Sequence, residues 1–172
     1  MVKIAFSGKL CSGKSTAAKI IGEIINDVTI LSFAGKVKEI ARDLFGMTTK
    51  DRELLINIGK KMREIDSDIW IKYLLKESEK YENVVVDDLR FPNEYKYLKE
   101  HGFTIIRLNI SREQQLERIK ILYDDWEVHS SKNNDESEVA LDSCNFDYCI
   151  DTPKSLDDLK QILVSIINVS DP

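Results

Sequence analysis

The chain is poor in the residues that would place it in several common classes of protein. It has three cysteines and two histidines in 172 residues. Cys144 and Cys149 form a C-x4-C pair, which is not a zinc-ligand spacing, and Cys11 stands far from both. A disulfide scaffold and a zinc module are therefore excluded, and the thiols read as buried or incidental in a reducing compartment. Seven glycines and three prolines leave no flexible linker, repeat or low-complexity tract. No apolar run approaches the length that spans a bilayer, and residues 2–7 lead straight into a glycine loop, unlike a signal peptide. A cytoplasmic protein with no membrane partner is expected. Basic residues are also in the minority, 25 Lys and Arg against 30 Asp and Glu, for a net charge of −5. That balance argues against binding a nucleic-acid polymer, which needs a basic face.

What is present suits one soluble domain, with 42% apolar and 32% charged residues. Strand-like runs fall at 2–7, 28–33, 83–88, 103–110 and 146–150. Helical patterns separate them, at 14–26, 35–45, 49–64, 67–81, 92–101, 112–122 and after Ser155. Capping signals mark several starts: Thr48-x-x-Asp51, Asp66 or Ser67, Pro92, Ser111 with Gln114, and Ser155-x-x-Asp158. Gly46 and Gly102 mark stops. Alternation of this kind predicts an α/β fold with a five-stranded parallel sheet between helical layers. Two stretches break the alternation, the helical insert at about 35–81 and the acidic, aperiodic segment at about 123–143. Both are expected to cap a site at the carboxyl ends of the strands.

The first run ends in GKLCSGKST, residues 8–16. Gly8, Gly13, Lys14 and Ser15 satisfy G-x-x-x-x-G-K-[ST], with a strand before and a helix after. Glycines let backbone N–H groups close around a phosphate, and the helix N-terminus adds its positive end. Gly8, Cys11, Ser12, Gly13, Lys14, Ser15 and Thr16 are thus expected to hold the phosphates of ATP. Lys14 would reach the β- and γ-phosphates and Ser15 would ligate Mg²⁺. Lys9 reads as solvated. The guanine-reading N-K-x-D element is absent, and neither Asp87 nor Asp88 is followed by glycine at the D-x-x-G spacing, so a small kinase fits better than a GTPase.

The second informative stretch is VVVDDLRFPNE, residues 84–94. Asp87, at the end of a buried strand, suits Mg²⁺, usually through water. Asp88 is open to a hydrogen bond with substrate or to capping a turn. Arg90 can clamp a phosphate with its guanidinium fork, or pair with a surface acid. Phe33 and Trp70 can stack on a base or fill the core.

These segments, with SFAGKVKEIARDLFG (32–46), DRELLINIGKKMREIDSDIW (51–70) and SEVALDSCNFDYCID (137–151), resemble the deoxynucleoside monophosphate kinase family of phages and large DNA viruses. The resemblance runs through most of the chain. It implies a P-loop nucleoside monophosphate kinase-like fold and transfer of the ATP γ-phosphoryl group to a dNMP, with Mg²⁺. It also implies that Lys38, Arg63 and Arg90 hold the acceptor phosphate and that Arg118 contacts ATP. A viral source would make the compartment the host cytoplasm, and a homodimer is left open. The chain departs from the family in its FAGKVK helix start and in IDTPK (150–154). The lid segment also lacks arginine, carrying only Lys132 and His129 as basic candidates. Arg118 and Lys120, or Lys14, Mg²⁺ and Arg90, would then carry the transition-state charge. His129 is a candidate ligand contact, and His101 reads as a charge at a helix end. Two rivals stay open: a kinase for another small acceptor, such as dephospho-coenzyme A or phosphomevalonate, and a nucleotide-binding module without turnover.

Overall fold

The computed structural model describes residues 1–131, 136–153 and 155–170. Lys132 and the side chain of His129 lie outside the described residues. The elements follow in the order β1 (Lys3–Gly8), α1 (Lys14–Ile24), β2 (Val28–Leu31), α2 (Phe33–Phe45), α3 (Arg52–Ile65), α4 (Ile69–Ser78) and β3 (Asn83–Leu89). Then come α5 (Pro92–Glu100), β4 (Thr104–Asn109), α6 (Arg112–Leu122), α7 (Trp126–Ser131), α8 (Glu136–Val139), β5 (Tyr148–Asp151) and α9 (Leu156–Ser170).

The five strands form one parallel sheet in the order β2-β3-β1-β4-β5. Parallel strands are covered on both faces, which explains their continuous apolar runs. Alternate residues divide between two cores. Ile4, Phe6, Val85, Ile106 and Leu108 pack with α1 and α9. Ala5, Val84, Val86 and Ile105 pack with α2, α4 and α5. β1 is central: the chain leaves it for the edge strand β2, returns to β3, and then crosses to β4 and β5 on the other side. That reversal opens a crevice at the carboxyl end of β1, where a doubly wound sheet binds its ligand.

Several boundaries differ from the sequence expectation, among them the start of α3, which lies at Arg52 rather than 49 because Asp51, not Thr48, is its N-cap and accepts the Leu54 N–H. β2 stops at Leu31, Ser32 is the N-cap of α2, and Phe33 is its first residue. The helix starts early because Asp88 accepts the N–H groups of Phe33 and Ala34 at 2.8 and 2.9 Å. α4 starts at Ile69, because Asp66 closes α3 and its carboxylate turns to the Asp68 amide at 3.0 Å and to Lys72. The segment after α6, read as aperiodic, contains the short helices α7 and α8. Among the described residues no helix is long and apolar enough to cross a membrane.

Two aromatic assignments change as well. Phe33 and Trp70 are 6% and 3% exposed and sit in the core beneath α2, α3 and α4. Their ring faces are covered by protein, so they pack the insert rather than stack on a base. The Trp70 indole N–H donates to the Gly59 carbonyl at 3.2 Å, pinning α4 to α3. Trp70→Ala is expected to destabilise the protein by about 3–5 kcal/mol, the usual cost of truncating a large core aromatic. Urea unfolding followed by circular dichroism measures it.

Candidate active site

The loop between β1 and α1 turns on backbone geometry that glycine permits. Gly8 has φ 151° and Gly13, the N-cap of α1, has φ 100°. A Cβ on Gly8 would meet the Leu108 carbonyl oxygen and Ser12 Oγ at 2.5 Å each, so β4 and the loop close over that position. Between them Cys11 takes φ 62°. The first amides of α1, at Lys14, Ser15 and Thr16, have no partner within the helix by geometry, and they open into the crevice. Ser12 Oγ is buried without a hydrogen-bond partner. A buried donor left over inside such a loop suits an anionic ligand.

Lys14 is 8% exposed, and its ammonium donates to the Gly8 and Lys9 carbonyls at 2.6 and 3.0 Å. Burial, and next the charge of Arg90, lower its pKa from 10.5 to about 8. The buried cation is short of negative charge, which a polyphosphate would supply. Ser15 Oγ lies 2.8 Å from Asp87 Oδ2. This pair of hard oxygen ligands at the cradle mouth fits Mg²⁺. No cluster of three or more His, Cys, Asp or Glu side chains surrounds it among the described residues. Mg²⁺ held there would take its remaining ligands from phosphate and water, its common habit.

Asp88 spends both carboxylate oxygens on the first turn of α2. Burial pushes its pKa up, against the pull of those two amides. Of the two roles open to it, the structure shows the cap. The Cys11 thiol is also pushed up by burial, against Lys14 and Arg118, and is no activated thiolate.

A cleft of about 970 Å³ runs across this cradle. Its walls include Leu10 to Thr16, Asp87, Asp88 and Arg90. Arg118, Leu122, Thr152, Pro153 and Leu156 line it as well. Arg118 reaches the loop itself, donating to the Cys11 carbonyl at 3.0 Å. Lys38 of α2, Lys50 before α3, and Arg52, Leu55 and Ile56 of α3 are wall residues too, and the Arg52 charge is felt by Tyr123 beside Leu122. Arg63 is not among the wall residues. Its guanidinium lies over the Phe91 ring, 5.1 Å from the centroid, and 3.9 Å from Glu94. The basic contribution of the insert to the cleft therefore comes from Lys38, Lys50 and Arg52.

Four polar residues around the cradle escaped the reading of the sequence. Gln115, 2% exposed, donates to the Leu10 carbonyl at 3.0 Å and braces the loop from α6. Arg107, 8% exposed on β4, bonds Ser7 Oγ at 3.0 Å and pairs with Asp142. Glu138 and Glu94 both hold Arg90, one by its side chain and the other by its backbone. Only Glu94 carried a local signal, as a glutamate at N3 of a helix opened by Pro92, from where its carboxylate accepts the N-cap amide of Phe91.

Glu94 is 3% exposed and accepts the N–H groups of Arg90 and Phe91 at 3.0 Å each. Burial, opposed by those amides and by Arg63, raises its pKa from 4.5 to about 7, with Asp88 pushing the same way. The folded protein thus keeps a proton that the unfolded chain releases above pH 4.5. Stability from this group is expected to fall, by on the order of a few kcal/mol, as pH rises from about 4.5 to about 7. In Glu94→Gln that component of the pH dependence of Tm is expected to vanish.

The parallel 2-3-1-4-5 sheet, the glycine-lysine cradle after β1 and the carboxylate ending β3 together define a P-loop protein of the kinase-type fold. A family model described as an AAA domain matches residues 4–141, and the chain belongs to that family. No curated protein matches it. Among solved structures it is similar to shikimate kinase from Acinetobacter baumannii in complex with shikimate. That pair shares 17% identity and a TM-score of 0.64, over 99% of this chain and 95% of the other. Shikimate kinase from Bacteroides thetaiotaomicron gives 15% identity and a TM-score of 0.62, over 97% and 98%. Deoxyadenosine kinase from M. mycoides with dCMP and dCDP products bound gives 16% and 0.58, over 98% and 100%. At these identities the likeness is one of fold.

Proposed function

We propose that the protein is an ATP- and Mg²⁺-dependent kinase whose acceptor is a deoxynucleoside monophosphate. The observation that carries the reading is the number of cations in the cleft. Lys38, Lys50, Arg52, Arg90 and Arg118 line it together with Lys14. That is more positive charge than a donor triphosphate alone needs, and it suits an acceptor that is itself anionic. The resemblance of VVVDDLRFPNE and its companion segments to the phage and viral dNMP kinases supplies the deoxynucleotide, and the solved deoxyadenosine kinase shows that nucleotides are handled on this fold.

The disposition of the carboxylates favours the same reading. A hydroxyl acceptor requires a general base within hydrogen-bond reach. Asp88 is committed to α2 and Asp87 faces Ser15. A phosphate monoester is already anionic near neutral pH and needs no base, so transfer rests on alignment and charge neutralisation. In this mechanism the loop amides and Lys14 hold the donor phosphates, and Ser15 and Asp87 would hold Mg²⁺, which would supply positive charge against the phosphates. Arg90 stands between donor and acceptor, while Lys38, Lys50 and Arg52 draw the acceptor phosphate into line.

The test is ADP formation from ATP and Mg²⁺ across the four dNMPs, the NMPs, dephospho-coenzyme A and phosphomevalonate. Acceptor-dependent ADP with one or more dNMPs is the expected result. Tight ATP binding with silence toward every nucleotide would overturn the acceptor assignment and leave the cradle standing.

A further inference from the structure

Glu138 belongs to α8, in the segment beyond α6, yet its carboxylate lies inside the phosphate cradle. Oε2 accepts the Leu10 N–H at 2.5 Å, a contact spanning 128 residues. Oε1 accepts from the Arg90 guanidinium at 2.6 Å. The residue is 9% exposed, and its charge is felt by the Lys14 ammonium. Two oxygens of one anion are thus shared between a loop amide and an arginine, beside a buried lysine. A phosphoryl group would present two of its oxygens to the same donors.

We propose that Glu138 is an internal competitor for the phosphoryl subsite: it fills the Leu10 and Arg90 donors in the nucleotide-free protein and must leave when phosphate binds. The local architecture permits the exchange. α8 has four residues and cannot be held by helical cooperativity. Just beyond it, Leu141 is 2% exposed in the core and Asp142 pairs with Arg107, so the segment has a fixed root. Glu138 therefore swings from an anchored base, and its departure leaves the sheet and its cores untouched. A second carboxylate near the transferring group would be repulsive, so retention of Glu138 beside bound phosphate is disfavoured.

The function of the contact follows from its energetics. The partly exposed Arg90 guanidinium and the Leu10 amide are kept paired without a ligand. The same pairing lowers affinity for any phosphate that must displace it. Nucleotide binding and release of Glu138 from the cradle are therefore coupled. This inference deepens the phosphoryl-transfer reading and rests on its donor half alone.

Binding of ATP and of inorganic pyrophosphate, by calorimetry without any acceptor, tests it. Glu138→Gln keeps the shape but loses the charge, and is expected to bind both about tenfold more tightly than the wild type, about 1.4 kcal/mol. Glu138→Asp keeps the charge on a side chain one methylene shorter, which cannot span both donors, and is expected to fall between the two. Unchanged or weaker binding in Glu138→Gln overturns the proposal, because it would make Glu138 a brace for Arg90. A wild type that binds neither probe would overturn the cradle reading together with it, so the two failures are distinct.

Discussion

Lys14→Met is expected to abolish phosphoryl transfer, by about a thousandfold or more, while the protein stays folded. The two effects have separate causes. In the free protein the Lys14 ammonium is buried, and its cationic form is disfavoured enough to bring its pKa to about 8. Methionine has a similar length and removes that buried charge, at the cost of two hydrogen bonds to the Gly8 and Lys9 carbonyls. The change in Tm is therefore expected to be a few degrees at most. During transfer the balance reverses, because charge builds on the phosphoryl oxygens that the ammonium would face. Losing a positioned cation there removes several kcal/mol of transition-state stabilisation. The measurement is acceptor-dependent ADP formation beside a thermal melt of the same sample. A variant with near-normal turnover would remove Lys14 from the chemistry. The wild type carries a related signature. Its free-state ammonium is lost as pH rises through about 8, so ATP affinity is expected to weaken above that pH and to do so less in Lys14→Arg.

Arg90→Ala is expected to lower turnover by about 10³-fold, the low end of what a positioned arginine contributes to phosphoryl transfer. The residue is well placed for it. Its backbone is fixed by Glu94, its side chain projects into the cleft, and it lies near enough to Lys14 to depress that pKa. Truncation also leaves Glu138 without its cationic partner, so ATP binding is expected to change little while kcat falls. Arg90→Lys should restore only a small part of the rate, since an ammonium lacks the guanidinium fork. Steady-state kcat and KM for ATP, measured at saturating acceptor, separate these effects. A normal kcat in Arg90→Ala would show that the guanidinium serves the Glu138 contact alone.

Much of the frame was legible because its causes are local. The strand runs, the cap at Ser111 and the stop at Gly46 each depend on a few adjacent residues. The boundary at Phe33 was decided by Asp88, 55 residues away, which no local pattern reveals, whereas the one at Ile69 was decided by the nearby Asp66, whose turn contact hides within a helix-like run. The aromatic assignments failed for a related reason. A Trp at helical spacing looks the same whether its helix faces a ligand or a neighbour, and only the packing of α3 against α4 hides Trp70. Among the insert's cations, periodicity gave no means to see that Arg63 turns inward to Glu94 and Phe91, while Lys50 and Arg52 line the cleft.

The sequence by itself determined the cradle and the parallel sheet. Glycine spacing, a lysine and a hydroxyl on one short turn specify phosphate-binding geometry wherever a strand leads in and a helix leads out. Tertiary structure alone decided which side chains share that cradle with Lys14. Arg90 follows β3, Gln115 and Arg118 lie on α6 and Glu138 on α8, and they meet only when the sheet brings its carboxyl ends to one edge. Hydrogen bonds between residues a hundred positions apart leave no local period or cap in the sequence, so their donors and acceptors are fixed by the fold.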